Sequence, residues 1–565
     1  MKKTVLFILV AAMAFVMLFG GCAKKSDDDV QEQPTTETAT EIQATEEAAE
    51  AQVEEEAVFE LPIAEGETLT ILSRDNYYTP KSYSSELLPV FEELEKRTGV
   101  KIEFQVYPTQ QYPEVANTRL AAGVDIPDII MIQSQIDQVK LYEDGIIADL
   151  TDLIDQYAPD IKRFFEMVPD VKKTATSDGK ILYLPNAYYV VSDMEEMKTG
   201  ELTGQAAPLN AMVPVMRKDW LDALGLEVPT TLDEWYTVLK AFKEEDPNGN
   251  GLADEIPLGG LQDREFFLCG SANLELYWPS DGFSVNDEGK VEYDYINPEL
   301  KTLIEFNNKL YSEGLLDPES FTDNLDKVKT KFATNTLGAA NSFWNLQCSA
   351  TSDTLAKSGV ENAELIPVVP PVGSEGKAFL VQNFTNNQIG MAIADGDKKE
   401  IAIKWMNYFY ASYEGLLLTN YGIEGETYTM VDGKPEFTDF VLNNESLSAT
   451  AALQSVGAKP SISNTQPTNY LAALDINNPD ISFVVDNMDY AIIVPAFASA
   501  NADEAKEYSR LMGEIDTYRE EMLIKMIMGV ETIDKFDEYL ETMNQMGIDQ
   551  VIAIKQAQYD RYNAD

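Results

Sequence analysis

The chain has 565 residues, with 96 Asp or Glu against 42 Lys or Arg, a formal charge of -54 at neutral pH, and no histidine. That balance excludes nucleic acid as a partner, because phosphate binding is built on Lys and Arg, and it repels an anionic lipid surface. Without imidazole there is no Ser-His-Asp triad, no His-based zinc site and no His proton shuttle; Cys22, Cys269 and Cys348 are too few for a disulfide scaffold, and spacing does not decide whether the last two pair.

Lys2 and Lys3 precede an apolar run from Val5 to Phe19 that ends in Gly20, Gly21 and Cys22. The run is shorter than the roughly 18 to 20 apolar residues of a spanning helix, and its charged start and small-residue end read residues 1–21 as an export signal. A cysteine directly after small residues resembles the lipobox of bacterial lipoproteins, which implies that the Cys22 thiol carries diacylglycerol and that the new amine is acylated, with palmitate-type chains. Phe19 stands where that family usually has an aliphatic residue. Each buried methylene contributes ~0.8 kcal/mol, so two or three acyl chains hold a protein to the outer face of the cell membrane. Residues 22–66 are rich in Glu, Ala, Thr and Gln and nearly free of aromatics, the composition of a disordered acidic tether.

From Thr68 the pattern alternates between strand and helix. Leu69 to Leu72 form a short β-type run, and Leu87, Leu88, Phe91 and Leu94 share a helical face. Val100 to Phe104 then alternates as a half-buried strand, and Ile129 to Ile132 is the continuous apolar run of a strand covered on both faces. Strands alternating with helices predict an α/β fold with a parallel sheet, in which ligands bind beyond the carboxyl ends of the strands. The loops there are Ser73 to Tyr78 and Gln133 to Gln135.

The succession FEELEKRTGVKIEF, LAAGVDIPDII, YEDGIIADLTDLI, DGKILYLP, RKDWLDALGLEVPTTLDEWYTVLKAFK and YINPELKTLIEFNNKLYSEGLLDPE resembles family 1 extracellular solute-binding proteins of sugar ABC importers. LIPVVPPVG, NYGIEGETY and IKMIMGVETIDKFDEYLETMNQMGIDQ are similar to the larger lipoprotein branch of that family. The resemblance implies a two-lobed, periplasmic-binding-protein-like (type II) clamp, monomeric, that hands its solute to ABC permease subunits. Its first lobe is expected at 67–190 plus 335–380 and its second at 215–330 plus 385–565, with hinge crossings near 186–216, 332–345 and 379–386.

Asp246-Pro-Asn248-Gly-Asn250-Gly251-Leu252-Ala-Asp254-Glu255 places oxygen-bearing side chains at relative positions 1, 3 and 5, glycine at 6 and a carboxylate at 9, the first part of an EF-hand-type loop. Asp246, Asn248, Asn250, the Leu252 carbonyl, Asp254 and Glu255 are the expected ligands of a structural Ca²⁺. Pro257 stands where an EF-hand has its closing Glu, so a regulatory hand is not expected.

Aromatic faces and planar amides or carboxylates are what a sugar needs. Asp75, Asn76, Tyr78, Gln133, Tyr188, Trp278, Trp344, Asn345, Gln382 and Asn383 are the candidate ligand-binding residues, whereas Trp220, Trp235 and Trp405 have the helical spacing of core. Adjacent acidic pairs such as Glu195-Glu196 arise by chance in so acidic a chain, and no enzyme is expected. The alternatives are a non-sugar solute such as a peptide or polyol, a ligand sensor for a membrane kinase, and a lipid-anchored glycan-degrading enzyme.

Overall fold

The computed structural model describes residues 59–564, apart from 76–80, 84–85, 110, 134–135, 189, 203–210, 261–265, 267, 277–279, 342–347, 361, 382–388, 461, 463–464, 468–482 and 484–485. The apolar runs of the N-terminal part build its first sheet. Strand Glu67–Arg74 lies between Val100–Tyr107 and Ile129–Ile132, parallel to both. Gly390–Ile393 joins antiparallel beyond Ile129–Ile132, and Leu184–Pro185 closes the row. All four residues of Ile129–Ile132 are buried, as a strand covered on both faces requires. Helix Pro89–Thr98 ends on Gly99 in the left-handed conformation. There a Cβ would stand 2.1 Å from the Ala64 carbonyl oxygen, so only glycine fits.

Helix Lys399–Ala411 runs through the core of this first lobe and buries Trp405, Met406, Tyr408, Phe409 and Tyr410. Asn407 on it does the work of a cap for a distant helix. Its Oδ1 accepts from the Asp160 and Ile161 amides at 2.9 and 3.1 Å, and its Nδ2 donates to Asp160 Oδ2 at 2.8 Å, satisfying free N–H groups at the start of Pro159–Met167. Phe59 stacks on Tyr408 and the Ile63 amide donates to the Thr98 carbonyl at 2.8 Å. The tether expected over 22–66 therefore gives way to packed chain by residue 59, because Phe59, Ile63 and Ala64 have apolar surface to bury.

The second lobe is built on a sheet ordered Ile256–Gly259, Leu337–Asn341, Pro214–Arg217, Leu365–Pro367. The first two strands are parallel, and Pro214–Arg217 runs against both of its neighbours. Trp220, Trp235, Phe242 and the faces of helices Leu300–Ser312, Ala502–Ile527, Phe536–Met546 and Ile548–Asn563 form its core. Trp220, Trp235 and Trp405 are core residues, as their spacing implied.

The chain passes from one core to the other between 188 and 211, 381 and 389, and 466 and 491. On the second lobe the three passages meet in one small sheet, Ala491–Ile493, Phe379–Val381 and Ala211–Met212. On the first, Ala187–Tyr188 pairs in parallel with Thr465–Gln466. This corrects the expected lobe boundaries. Among the described residues, those from 335 to 341 and from 348 to 380 lie with the second lobe, since Leu337–Asn341 is an inner strand of its sheet and Leu337, Cys348, Leu365 and Phe379 share one apolar cluster. The stretch 385–565 is divided, its part from Gly390 to Gln466 lying with the first lobe.

One ion cluster of the second lobe gathers three carboxylates on a single lysine. Lys331 Nζ lies 2.6 Å from Asp317 Oδ2 and 3.1 Å from Glu319 Oε2, and also bonds Asp323, whose side chain is fully buried. Removing one partner of a buried ion pair strands the other charge, at a cost of about 3–5 kcal/mol. Lys331→Met is therefore expected to lower the stability of the protein by about that amount in urea unfolding followed by tryptophan fluorescence, and unchanged stability would show that water, not Lys331, balances these carboxylates.

Candidate functional site

The carboxyl ends of the first sheet present a row of polar side chains. The register sets Leu72 opposite Ile130, and Gly390 opposite both Ile132 and Pro185. One and three residues further on, Asp75, Gln133, Ile389 and Asn186 therefore stand side by side at successive strand ends. Asp75 is half-buried, Gln133 is 7% exposed and Asn186 is 3% exposed. The Asn186 amide donates to the Ile389 carbonyl at 2.7 Å, which fixes its backbone, while its side-chain Oδ1 has no partner. Among the described residues Gln133 Nε2 reaches the Met131 sulfur alone, at 4.0 Å. Buried amides are normally satisfied, so an acceptor left over at a strand end is a place for a donor the protein does not supply.

Half-buried Tyr188 follows Asn186 and is paired with Gln466. Thr465 and Gln466 are buried here, with the Thr465 hydroxyl donating to the Tyr410 carbonyl at 2.9 Å and Asn420 Nδ2 donating to the Thr465 carbonyl at 3.0 Å. These two residues were missed in the sequence, where Ser-Asn-Thr-Gln-Pro carries neither period nor motif. Asn76, Tyr78, Trp278, Trp344, Asn345, Gln382, Asn383 and Cys22 lie outside the described residues.

The second lobe also holds two buried carboxyls, Glu275 and Asp294. The Glu275 amide donates to Asp294 Oδ2 at 2.7 Å and Ser284 Oγ donates to Asp294 Oδ1 at 2.9 Å. Glu275 Oε2 has no partner. Burial, then the charge of Asp294, pushes the Glu275 carboxyl well above the ordinary range. Burial also pushes Asp294 up to about 6. The nearby Cys269 thiol is pushed up to about 12 by burial, which makes it inert. Cys269 and Cys348 form no disulfide and sit in different apolar clusters.

The Asp246 to Glu255 loop follows helix Leu232–Glu244 and feeds strand Ile256–Gly259. Asp246 Oδ1 and Oδ2 accept from the Asn250 and Gly251 amides at 3.1 and 3.0 Å, and Asn250 Oδ1 accepts from the Leu252 amide at 2.6 Å. Gly249 and Gly251 take the left-handed conformation that such a turn needs. Asn248 Nδ2 and Asn250 Nδ2 both point at Asp254, at 3.2 and 3.0 Å. Glu255 is buried with Oε1 unpartnered, and burial, then Asp254 and Asp246, raises its carboxyl. The loop thus carries three carboxylates and two side-chain amides within ten residues, with one buried oxygen, Glu255 Oε1, unsatisfied, and hard oxygens of this kind suit Ca²⁺ and no soft metal.

A family model for the bacterial extracellular solute-binding protein matches residues 79–412. The chain belongs to that family. It is 26% identical over 89% of its length to the fructooligosaccharide ABC transporter substrate-binding protein FusA of Streptococcus pneumoniae serotype 4, covering 92% of that protein. It is 24% identical over 82% of its length to the polygalacturonan/rhamnogalacturonan-binding protein YtcQ of Bacillus subtilis strain 168, covering 88% of it. Among solved structures, the alginate-binding protein AlgQ2 without calcium ion superposes with a TM-score of 0.70 at 29% identity, over 88% of this chain and 99% of that one. A FusA EF-hand mutant in complex with fructo-nystose gives 0.68 at 22%, over 88% and 100%. The two-lobed α/β architecture is thus that of the solute-binding proteins.

The buried Glu275 and Asp294 pair is a cost to folding whenever its carboxyls ionise. A carboxyl whose folded pKa lies above its unfolded value is fully accommodated at pH below the unfolded value and loses stability as pH rises through the folded one. Glu275→Gln mimics the protonated form. It is expected to exceed the wild type in stability by on the order of 1 kcal/mol at pH 8 and to match it near pH 4, as read from urea midpoints across that range. A variant less stable at pH 8 would mean that the ionised carboxylate is the favoured form.

Proposed function

We propose that this protein is the extracellular receptor of an ABC importer, capturing an oligosaccharide between its two lobes and presenting it to membrane permease subunits. The observation that carries the reading is that three relatives named for glycans each align over more than four fifths of this chain, at 89%, 82% and 88%. The strand-end row of Asp75, Gln133 and Asn186 suits the same chemistry, since planar amides and carboxylates match sugar hydroxyls. A ligand touching both lobes favours the closed clamp by the contacts it makes only there. No bond is made or broken in this cycle.

Cys22 carries the lipid anchor in this reading, and no helix among the described residues is long and apolar enough to cross a membrane. Ca²⁺ is held by Asp246, Asn248, Asn250, the Leu252 carbonyl, Asp254 and Glu255, where it supplies the positive charge those carboxylates lack.

Two measurements test these assignments. Isothermal calorimetry against fructo-, galacturono-, algino- and manno-oligosaccharides is expected to find at least one ligand, with no new product by chromatography afterwards; released product would replace the receptor reading with an enzyme. Millimolar Ca²⁺ is expected to raise the melting temperature of the wild type by several degrees and that of Asp246→Ala by none, because a ligand bound only by the folded state stabilises it by mass action. A wild type indifferent to Ca²⁺ would remove the metal from the protein.

A further inference from the structure

The C-terminal part of the second lobe reaches across to the first. Phe497, Leu511, Val551 and Tyr559 pack in the second core, whereas Val171, Ala175 and Ile181 pack in the first. Direct bonds join these two segments. Ser499 Oγ donates to the Thr174 carbonyl at 2.5 Å and Ser177 Oγ to the Ala500 carbonyl at 2.8 Å. Lys173 Nζ donates to the Tyr562 carbonyl at 3.2 Å and stands 5.3 Å from the centre of the Tyr562 ring. Thr174 is 2% and Ser177 5% exposed, so little water competes for these bonds. Arg561 holds the second-lobe side in place, donating to the Ser499 carbonyl at 3.0 Å and to the two Glu504 oxygens at 2.9 and 2.7 Å.

The order of the first sheet sets this patch relative to the hinge. Val100–Tyr107 forms one edge of the sheet, and Gly390–Ile393 with Leu184–Pro185 the other. The passages after 188, before 389 and after 466 all leave from that second edge, since Asn186 binds Ile389 and Tyr188 pairs with Gln466. Helix Pro169–Ala175 touches Leu184–Pro185, and the Ala175 carbonyl accepts from the Leu182 amide at 3.1 Å. The patch thus adjoins the hinge edge, and Val100–Tyr107 lies on the opposite side of the passages. A rotation that swings the Val100–Tyr107 edge toward the second lobe carries the Thr174 to Ser177 segment away from it.

Resting on the two-lobed receptor reading above, we infer that this patch is a brake on closure: it holds the unliganded lobes apart, separates as the clamp shuts over a solute, and so weakens the binding of every solute by one common factor. Contacts made in one state alone shift the equilibrium toward that state. The apparent affinity of a clamp scales with the fraction able to close, so releasing the brake raises it without altering any contact to the solute. Neutral hydroxyl-to-carbonyl bonds suit this task, because each is weak enough to be broken when a solute binds.

The test variants are Ser177→Ala with Ser499→Ala, and the same pair with Lys173→Met; each removes donors and adds no bulk. Folding is checked by circular dichroism, and should the pair fail to fold, Lys173→Met alone is read in its place. Kestose, trigalacturonate and trimannuronate are titrated by calorimetry into each full-length protein. The double variant is expected to bind every sugar that the wild type binds more tightly by the same factor, roughly three- to tenfold, and the triple variant more tightly again. Unchanged or weaker binding, or a gain for one sugar and not another, would overturn the brake while leaving the receptor reading in place. Small-angle scattering without sugar supplies an arm that needs no ligand: the triple variant is expected to have a smaller radius of gyration than the wild type, and an equal or larger one overturns the brake as well. If none of the three sugars binds any of the proteins, the choice of glycan fails and the scattering alone decides.

Discussion

The antiparallel strand Gly390–Ile393, wedged between Ile129–Ile132 and Leu184–Pro185, is the constraint on which the rest of the architecture depends. By position 381 the chain has completed both sheets' other strands, so it must return to the first lobe to place this one and then leave again to build the C-terminal helices. That detour makes three passages instead of one. Three connections gathered in a small sheet resist sliding and twisting better than a single linker and leave the swing of one lobe against the other as the motion they permit. The same strand contributes Ile389 to the row of Asp75, Gln133 and Asn186, so the element that creates the hinge also sets the spacing of the polar row.

A chain with 96 acidic residues must settle where its carboxylates converge. The second lobe uses three solutions within one domain. Arg217, fully buried, takes Asp219 in a two-pronged pair at 2.7 and 2.5 Å. Lys331 enters the middle of Asp317, Glu319 and Asp323, where a metal could otherwise be imagined, and supplies the cation from the chain itself. Among the described residues no lysine pairs with the Asp246 to Glu255 loop; amide N–H groups of Asn248 and Asn250 turn toward Asp254, and Glu255 keeps an unsatisfied oxygen. The last two differ in internal compensation rather than in acidic content.

The sequence disclosed those features that repeat or are local. The buried run at Ile129–Ile132, the helical face of Phe91 and Leu94 and the calcium-type spacing each announce themselves within a dozen residues, because periodicity and turn chemistry are local physics, although Leu87 and Leu88 precede the helix, which starts at Pro89. The allocation of segments to lobes is not local. Leu337–Asn341 and Gly390–Ile393 are both short, small-residue or apolar strands, and nothing in LGAAN or GMAI states which sheet will receive them. Thr465 and Gln466 escaped for the same reason, since a two-residue bridge to Ala187–Tyr188 has no pattern to display. Asn186 stands two residues before Tyr188 in the sequence, but its unpartnered oxygen is a property of the fold around it.

The position of the oxygen-rich loop bears on what it can do. Strands Ile256–Gly259 and Leu337–Asn341 run parallel, and their amino ends meet at this loop: the Ile256 amide donates to the Thr336 carbonyl at 2.8 Å and Asn248 Nδ2 to the Asn335 carbonyl at 3.2 Å. Ligands of open α/β sheets gather at the opposite, carboxyl ends. A cation in the loop would therefore be a strand's length from any solute bound there and could not coordinate it. It would act by holding the starts of two neighbouring strands in register, which makes its effect one on the stability of the second lobe, while the polar row of the first lobe remains free to vary with the solute.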